Sequence, residues 1–112
     1  MRTNVKSADP SEILRTVSPD EAFLFFDDVD RYTGTLATSL ADFSNDIRTI
    51  NPRSVAFHFK RGDFERWVHE ILHDATLARR IRKIKKSSSG KKLRGEIAKV
   101  VKKRLRELQK RS

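Results

Sequence analysis

The chain has 112 residues, enough for one domain with a real core, and 36% of them are charged against 37% hydrophobic. It has no cysteine, which excludes disulfides and thiolate chemistry, and no apolar run long enough to span a membrane. The net charge of +10 is unevenly placed: residues 1–78 hold 9 Lys/Arg and 13 Asp/Glu, whereas residues 79–112 hold 16 Lys/Arg and only Glu96 and Glu107.

In chain order, Met1 to Asp9 is polar and lacks the apolar core of a signal peptide, which fits a soluble cytoplasmic protein. Asp9-Pro10-Ser11-Glu12 and Ser18-Pro19-Asp20-Glu21 each place an oxygen acceptor before a proline, with Glu two residues after it. That pattern predicts a short helix from Pro10 and another from Pro19 to about Asp28. The apolar run Phe23 to Phe26 also allows a buried strand. Residues 27–34 read as a loop. Ser39 with Asp42 predicts a capped helix carrying Leu40, Phe43, Ile47 and Ile50 on one face, stopped at Asn51-Pro52. Val55, Phe57 and Phe59 alternate as in a strand, while Pro52 and Ser54 would equally start a helix. If strands form, Leu24–Phe26 and Ala56–Phe59 are the segments to pair.

Gly62-Asp63 breaks and recaps the chain ahead of an amphipathic helix bearing Phe64, Trp67, Val68, Ile71 and Leu72. Asp74 caps the next helix, with Leu77, Ala78, Ile81 and Ile84 on its buried line. Ser87-Ser88-Ser89-Gly90 reads as a linker between a body over 1–86 and a basic amphipathic helix over 91–112. In that helix Leu93, Ile97, Val100, Val101, Leu105 and Leu108 form one stripe, opposite a cationic one. The expected fold is all-α: a compact bundle of about five helices, with a minor two-stranded element as an option.

Unrelieved positive charge destabilises a folded chain by self-repulsion, and an anionic partner relieves it. Two clusters are expected to contact phosphates: Arg79, Arg80, Arg82, Lys83, Lys85 and Lys86, then Lys92, Lys99, Lys102, Lys103, Arg106 and Lys110. Every aromatic residue lies at or before Trp67, so the basic part has no ring on which to stack bases. It has no Asn and a single Gln, so little can read adenine. These features point to non-catalytic backbone binding to duplex DNA or structured RNA, with little sequence preference. An acidic protein is the other partner class. A membrane surface fits poorly, because the apolar stripe lacks Trp and Phe.

Catalytic and metal readings find less support. Asp27, Asp28 and Asp30 lack the glycine and distal Glu of an EF-hand loop. His69-Glu70-Ile71-Leu72-His73 matches the His-Glu-x-x-His pattern of zinc hydrolases. A small chain offers it no cleft-forming second domain, and five-residue matches arise by chance. No metal or cofactor is expected. His58, among Phe57, Phe59 and Phe64, reads as a hydrogen-bonded core tie before it reads as a site residue.

Three strings carry a family resemblance: Phe23-Leu24-Phe25-Phe26, Tyr32-Thr33-Gly34 with Ala37 to Phe43, and Ser54 to Trp67, which contains His58-Phe59-Lys60-Arg61-Gly62-Asp63-Phe64. Over residues 20–85 the chain resembles a family of small archaeal domains of unknown function, found alone or attached to carbohydrate-active enzymes. The resemblance implies an intracellular, mainly helical domain. It marks Gly34, Ser39, His58, Arg61, Asp63 and Trp67 as a shared feature and implies little about chemistry. The alternative function is a protein-interaction or regulatory accessory domain with its site near His58 and Trp67. The basic end lies outside that resemblance, which sets a carbohydrate role aside.

Overall fold

A computed structural model describes residues 8–111. Residues 1–7, the start of the expected body, and Ser112, the end of the expected last helix, lie outside the described residues. The elements are α1 (Pro10–Ile13), a 3-10 turn (Pro19–Glu21), β1 (Phe23–Asp28), β2 (Arg31–Ala37), α2 (Leu40–Thr49), α3 (Pro52–Arg61), α4 (Asp63–Glu70), α5 (Ala75–Arg82) and α6 (Gly90–Arg111). Among the described residues the fold is predominantly helical, with one two-stranded antiparallel sheet.

The strand pair corrects the expected helix over Pro19–Asp28 and the expected loop over 27–34. Ser18-Pro19-Asp20-Glu21 starts only a single 3-10 turn, and Ser18 makes no side-chain cap. Beyond it Phe23 and Phe25 turn into the core while Leu24 faces out, the period-two pattern of a half-buried strand. Its partner is the adjacent Thr-rich stretch, paired Phe23 to Ala37, Leu24 to Leu36 and Phe25 to Thr35. The register then slips, so that Phe26 faces Tyr32. Gly34 in the bulge takes φ 91°, a conformation open chiefly to glycine.

Ala56–Phe59, the other strand candidate, is helical, within α3. Asn51 caps that helix by accepting from Arg53 N–H, and Pro52 sets its first turn. Its buried residues Ser54, Val55, His58 and Phe59 follow helical spacing, which overrides the alternation of Val55, Phe57 and Phe59. Helix α2 forms as its signature predicts: Ser39 accepts from Asp42 N–H, and Asp42 accepts from Thr38 N–H and hydroxyl. Gly62, at φ 73°, ends α3 and opens α4.

Phe23, Phe25, Phe43, Phe64 and Trp67 form the aromatic centre of the core, with Phe25 and Phe43 stacked at 5.7 Å. Helix α6 completes it. Leu93, Ile97, Val101 and Leu108 are at most 2% exposed, and the helix packs on α1, α2, α3 and α5. Four such side chains leaving water stabilise by roughly 6–12 kcal/mol before conformational entropy is charged. The last helix is therefore a wall of the core. It starts at Gly90, inside the expected linker, while α5 ends at Arg82, before Lys83–Lys86.

Candidate nucleic-acid interface and the His58 cluster

Packing one stripe of α6 inward leaves the opposite stripe in water. Lys99, Lys102, Lys103, Arg106 and Lys110 line one groove of about 420 Å³ along the helix, with Glu107 as the only anion. Glu107 is itself paired: Arg80 donates to both its carboxylate oxygens (3.0 and 3.1 Å) and Arg104 to one (3.2 Å). The Arg80 bonds, opposed by desolvation and aided by Arg104, hold the Glu107 carboxyl below the usual range. Five cations thus share one groove whose one carboxylate, among the described residues, is paired with Arg80 and Arg104. At 1.5 Å per residue the stretch from Lys99 to Lys110 is about 16 Å long.

The remaining predicted contacts divide. Arg79, Lys83, Lys85, Lys86 and Lys92 are exposed, and among the described residues no carboxylate lies within 4.0 Å of them. Lys86 lies over the Phe59 ring at 4.9 Å. Arg80 is tied to Glu107, and Arg82 approaches Glu65 at 3.6 Å. Arg79 and Arg82 line a groove between α4 and α5, not the α6 groove. Arg79 and Arg82 of the first cluster therefore line a different groove from the second cluster, while Arg80 reaches the α6 groove through Glu107.

Arg104, within the basic end but outside both expected clusters, is buried. Its Nε donates to Asp74 Oδ2 at 2.9 Å, with the side chains 6% and 1% exposed. Asp74 Oδ1 accepts from Leu77 N–H at 3.0 Å, so one carboxylate caps α5 and anchors α6. Arg104 sits beside Val101 and Leu108 along the buried side of α6, and that helical position is the sequence signal for its burial.

Of the residues that the resemblance groups, four come together. His58, Arg61, Asp63 and Trp67 line one cavity of about 480 Å³, walled also by Phe23, Phe26, Phe57 and Ile71. Gly34 serves the β-bulge and Ser39 the α2 cap; neither lines that cavity.

His58 is fully engaged. The Phe26 N–H donates to its Nε2 (2.8 Å), which places the proton on Nδ1, and Nδ1 donates to Asp63 Oδ2 (2.8 Å). Ser54 hydroxyl donates to the Phe26 carbonyl at 2.6 Å. One turn of α3 thereby satisfies both peptide groups of Phe26 at the point where the bulge disrupts the ladder. Burial pushes the His58 pKa below its ordinary 6.5, and the Asp63 contact works the other way. Asp63 is desolvated too, yet hydrogen bonds from His58, Arg66 and Arg61 outweigh that and hold its carboxyl low. Both ring nitrogens being occupied, His58 ties β1 to α3 and α4. Trp67 Nε1 donates to the Glu21 carbonyl at 2.8 Å and fixes the 3-10 turn.

The His-Glu-x-x-His match does not make a helical pair. Helix α4 ends at Glu70, and His73 has φ 67°. His73 Nδ1 contacts Glu12 of α1 instead. Asp27 and Asp28 face Arg31 at 3.1 and 3.8 Å. Among the described residues no group of three or more His, Cys, Asp or Glu could hold a metal ion, and no helix is long and apolar enough to cross a membrane.

Residues 20–112 match the model of a family of unknown function, DUF5752, and the chain belongs to that family. The match runs through α6, so the basic helix lies within the family domain and not beyond it. No curated protein and no solved structure matches the chain.

Proposed function

We propose that this member of the family is a non-catalytic, cytoplasmic nucleic-acid-associated protein that holds the phosphate backbone with little sequence preference. The observation that carries the reading is the outward stripe of α6, where Lys99, Lys102, Lys103, Arg106 and Lys110 share a groove and the only anion is held by Arg80 and Arg104. Lysine and arginine that neutralise phosphates release condensed counterions, which gives affinity without base reading. About 16 Å of duplex axis carries on the order of ten phosphates, ample for five cations. Arg79, Lys83, Lys85, Lys86 and Lys92 add exposed charge beyond the groove.

The test is equilibrium binding of the full chain to duplex DNA and to hairpin RNA of unrelated sequences across a salt series. The reading expects log K to fall linearly with log salt and to differ little between sequences. Absent binding, salt-independent binding or strong preference for one sequence would refute it.

A second reading, a protein-interaction accessory domain, draws support from the outer face of the hairpin. Leu24 and Leu36 face each other across the strands, both exposed, as are Tyr32, paired with Phe26, and Val29, 67% exposed. Leu24→Lys with Leu36→Lys should leave duplex binding unchanged if α6 carries it. Loss of binding would move the function to the hairpin.

A further inference from the structure

Arg61, Arg66 and Glu70 line two cavities at once. On one side is the apolar cavity of about 480 Å³ beside His58, where the half-buried Phe26 and Phe57 rings and Trp67 form walls. On the other is the groove between α4 and α5, of about 550 Å³, which Arg79 and Arg82 enter from α5 over a floor of Gly62, Ala75 and Ala78. The two spaces adjoin along the arginines. One offers flat apolar surface; the other offers four guanidinium groups beside His69, Glu70 and Glu65, the last already near Arg82 at 3.6 Å.

The arginines are held in place without being used up. Asp63 accepts from Arg61 Nε and Arg66 Nη1, both at 2.9 Å, and the Arg61 carbonyl accepts from Arg66 Nη2 at 3.0 Å. Arg61 lies over the Phe57 ring at 4.9 Å, and both its terminal nitrogens keep their donors. The side chains of Arg61 and Arg66 remain 56% and 54% exposed. Arg79 is exposed, with no carboxylate within 4.0 Å among the described residues. Around the mouth of the apolar cavity stand Asp28, Asp30 and Glu70, which accept hydrogen bonds and cannot donate them when ionised.

We infer that the two spaces form one site for a nucleoside monophosphate, its base against Phe26 and its phosphate on Arg61, Arg66 and Arg79. Aromatic faces stack on bases of any identity. Planar guanidinium groups match phosphate oxygens in pairs. The rim carboxylates meet the amino and hydroxyl donors of base and ribose. A fatty acid would leave those carboxylates facing bare methylene groups, which argues for the nucleotide. A cavity of this size suits a ligand of that class. The site stands apart from the α6 groove and does not depend on the reading given for that groove, sharing only Arg79 with the further charge counted there.

Trp67 is the only tryptophan and lies in the cavity wall, so its fluorescence reports occupancy directly. The test is titration of the full chain with the four nucleoside monophosphates, adenosine and inorganic phosphate. At least one monophosphate should perturb Trp67, and adenosine and phosphate should each bind it roughly tenfold or more weakly. Arg66→Gln and Arg79→Gln, on exposed side chains and with the fold checked by circular dichroism, should each weaken the monophosphate roughly tenfold and leave adenosine unchanged. Lys102→Gln with Lys103→Gln should have no effect, which separates this site from phosphate contacts on α6. The inference is overturned if no monophosphate binds at millimolar concentration, if adenosine binds as tightly, or if both arginine variants bind normally.

Discussion

Replacing Arg104 with Met removes the one positive charge that α6 buries. Arg104 Nε and Asp74 Oδ2 are 2.9 Å apart, with the aspartate side chain only 1% exposed. In the variant, Asp74 keeps the Leu77 N–H on its other oxygen but stays charged in a site without its counter-ion. Breaking a buried pair on one side costs about 3–5 kcal/mol, a large part of the roughly 5–15 kcal/mol that holds a domain folded. Asp74→Ser in the same chain removes the stranded charge, while the hydroxyl can still cap α5. The double variant should therefore recover much of the loss. Urea unfolding followed by Trp67 fluorescence and by circular dichroism measures all four corners of the cycle. A loss below about 1 kcal/mol for Arg104→Met, or costs that simply add in the double variant, would refute the claim that the pair anchors α6.

Three further outcomes are expected at single sites. The His58 pKa is depressed in the fold, so its contribution to stability is present above the unfolded value near 6.5 and fades as pH falls. The advantage of the wild type over His58→Gln should accordingly shrink between roughly pH 7 and pH 5; an advantage that grows on acidification would contradict the tie. Asp46 has the opposite sign: burial, then Asp42, raises its pKa, and its Oδ2 is buried without a partner near the end of α2. Its neutral form is favoured by folding, so Asp46→Asn should stabilise by about 1 kcal/mol at neutral pH and lose that gain in acid. Equal gains at both pH values in the same urea melts would sink this. Gly95 sits inside α6 in open space, where an added Cβ meets nothing within 4 Å. Gly95→Ala should raise stability by about 1 kcal/mol, and thermal unfolding without an upward shift would show that the position is constrained.

The helices were legible where several local signals agreed. Ser39 with Asp42, Asn51-Pro52, Gly62-Asp63 and Asp74 each mark a boundary that the structure keeps, since each satisfies or ends a run of backbone donors within its own few residues. The first strand of the hairpin was legible as an option in the Phe23–Phe26 run, but its partner over 31–37 was not, for a related reason. Ser18-Pro19 satisfies the local rule for a helix start, but the rule fixes only one turn. Burial of Phe23 and Phe25 under Phe43 and Phe64 then makes the next residues a strand. Thr33-Gly34-Thr35 carries strand and bulge chemistry that a loop reading passes over.

The candidate surfaces divide in the same manner. The cationic stripe of α6 is readable from helical period alone, because the apolar stripe opposite sets its position. Burial of Arg104 is readable from the same period, but its partner Asp74, thirty residues earlier in the chain, is not. The adjoining cavities beside Arg61 and Arg66 could not be read from the sequence, because their walls come from β1, α3, α4 and α5.

Binding of duplex DNA across a salt series, by the wild type and by Lys102→Gln, Lys103→Gln, Arg106→Gln, tests the central proposal most directly. All three side chains are exposed, so the variant keeps the core that removal of α6 would destroy. If each contacts one phosphate, the slope of log K against log salt should become shallower by about 2.7, at roughly 0.9 per contact. An unchanged slope would contradict the account.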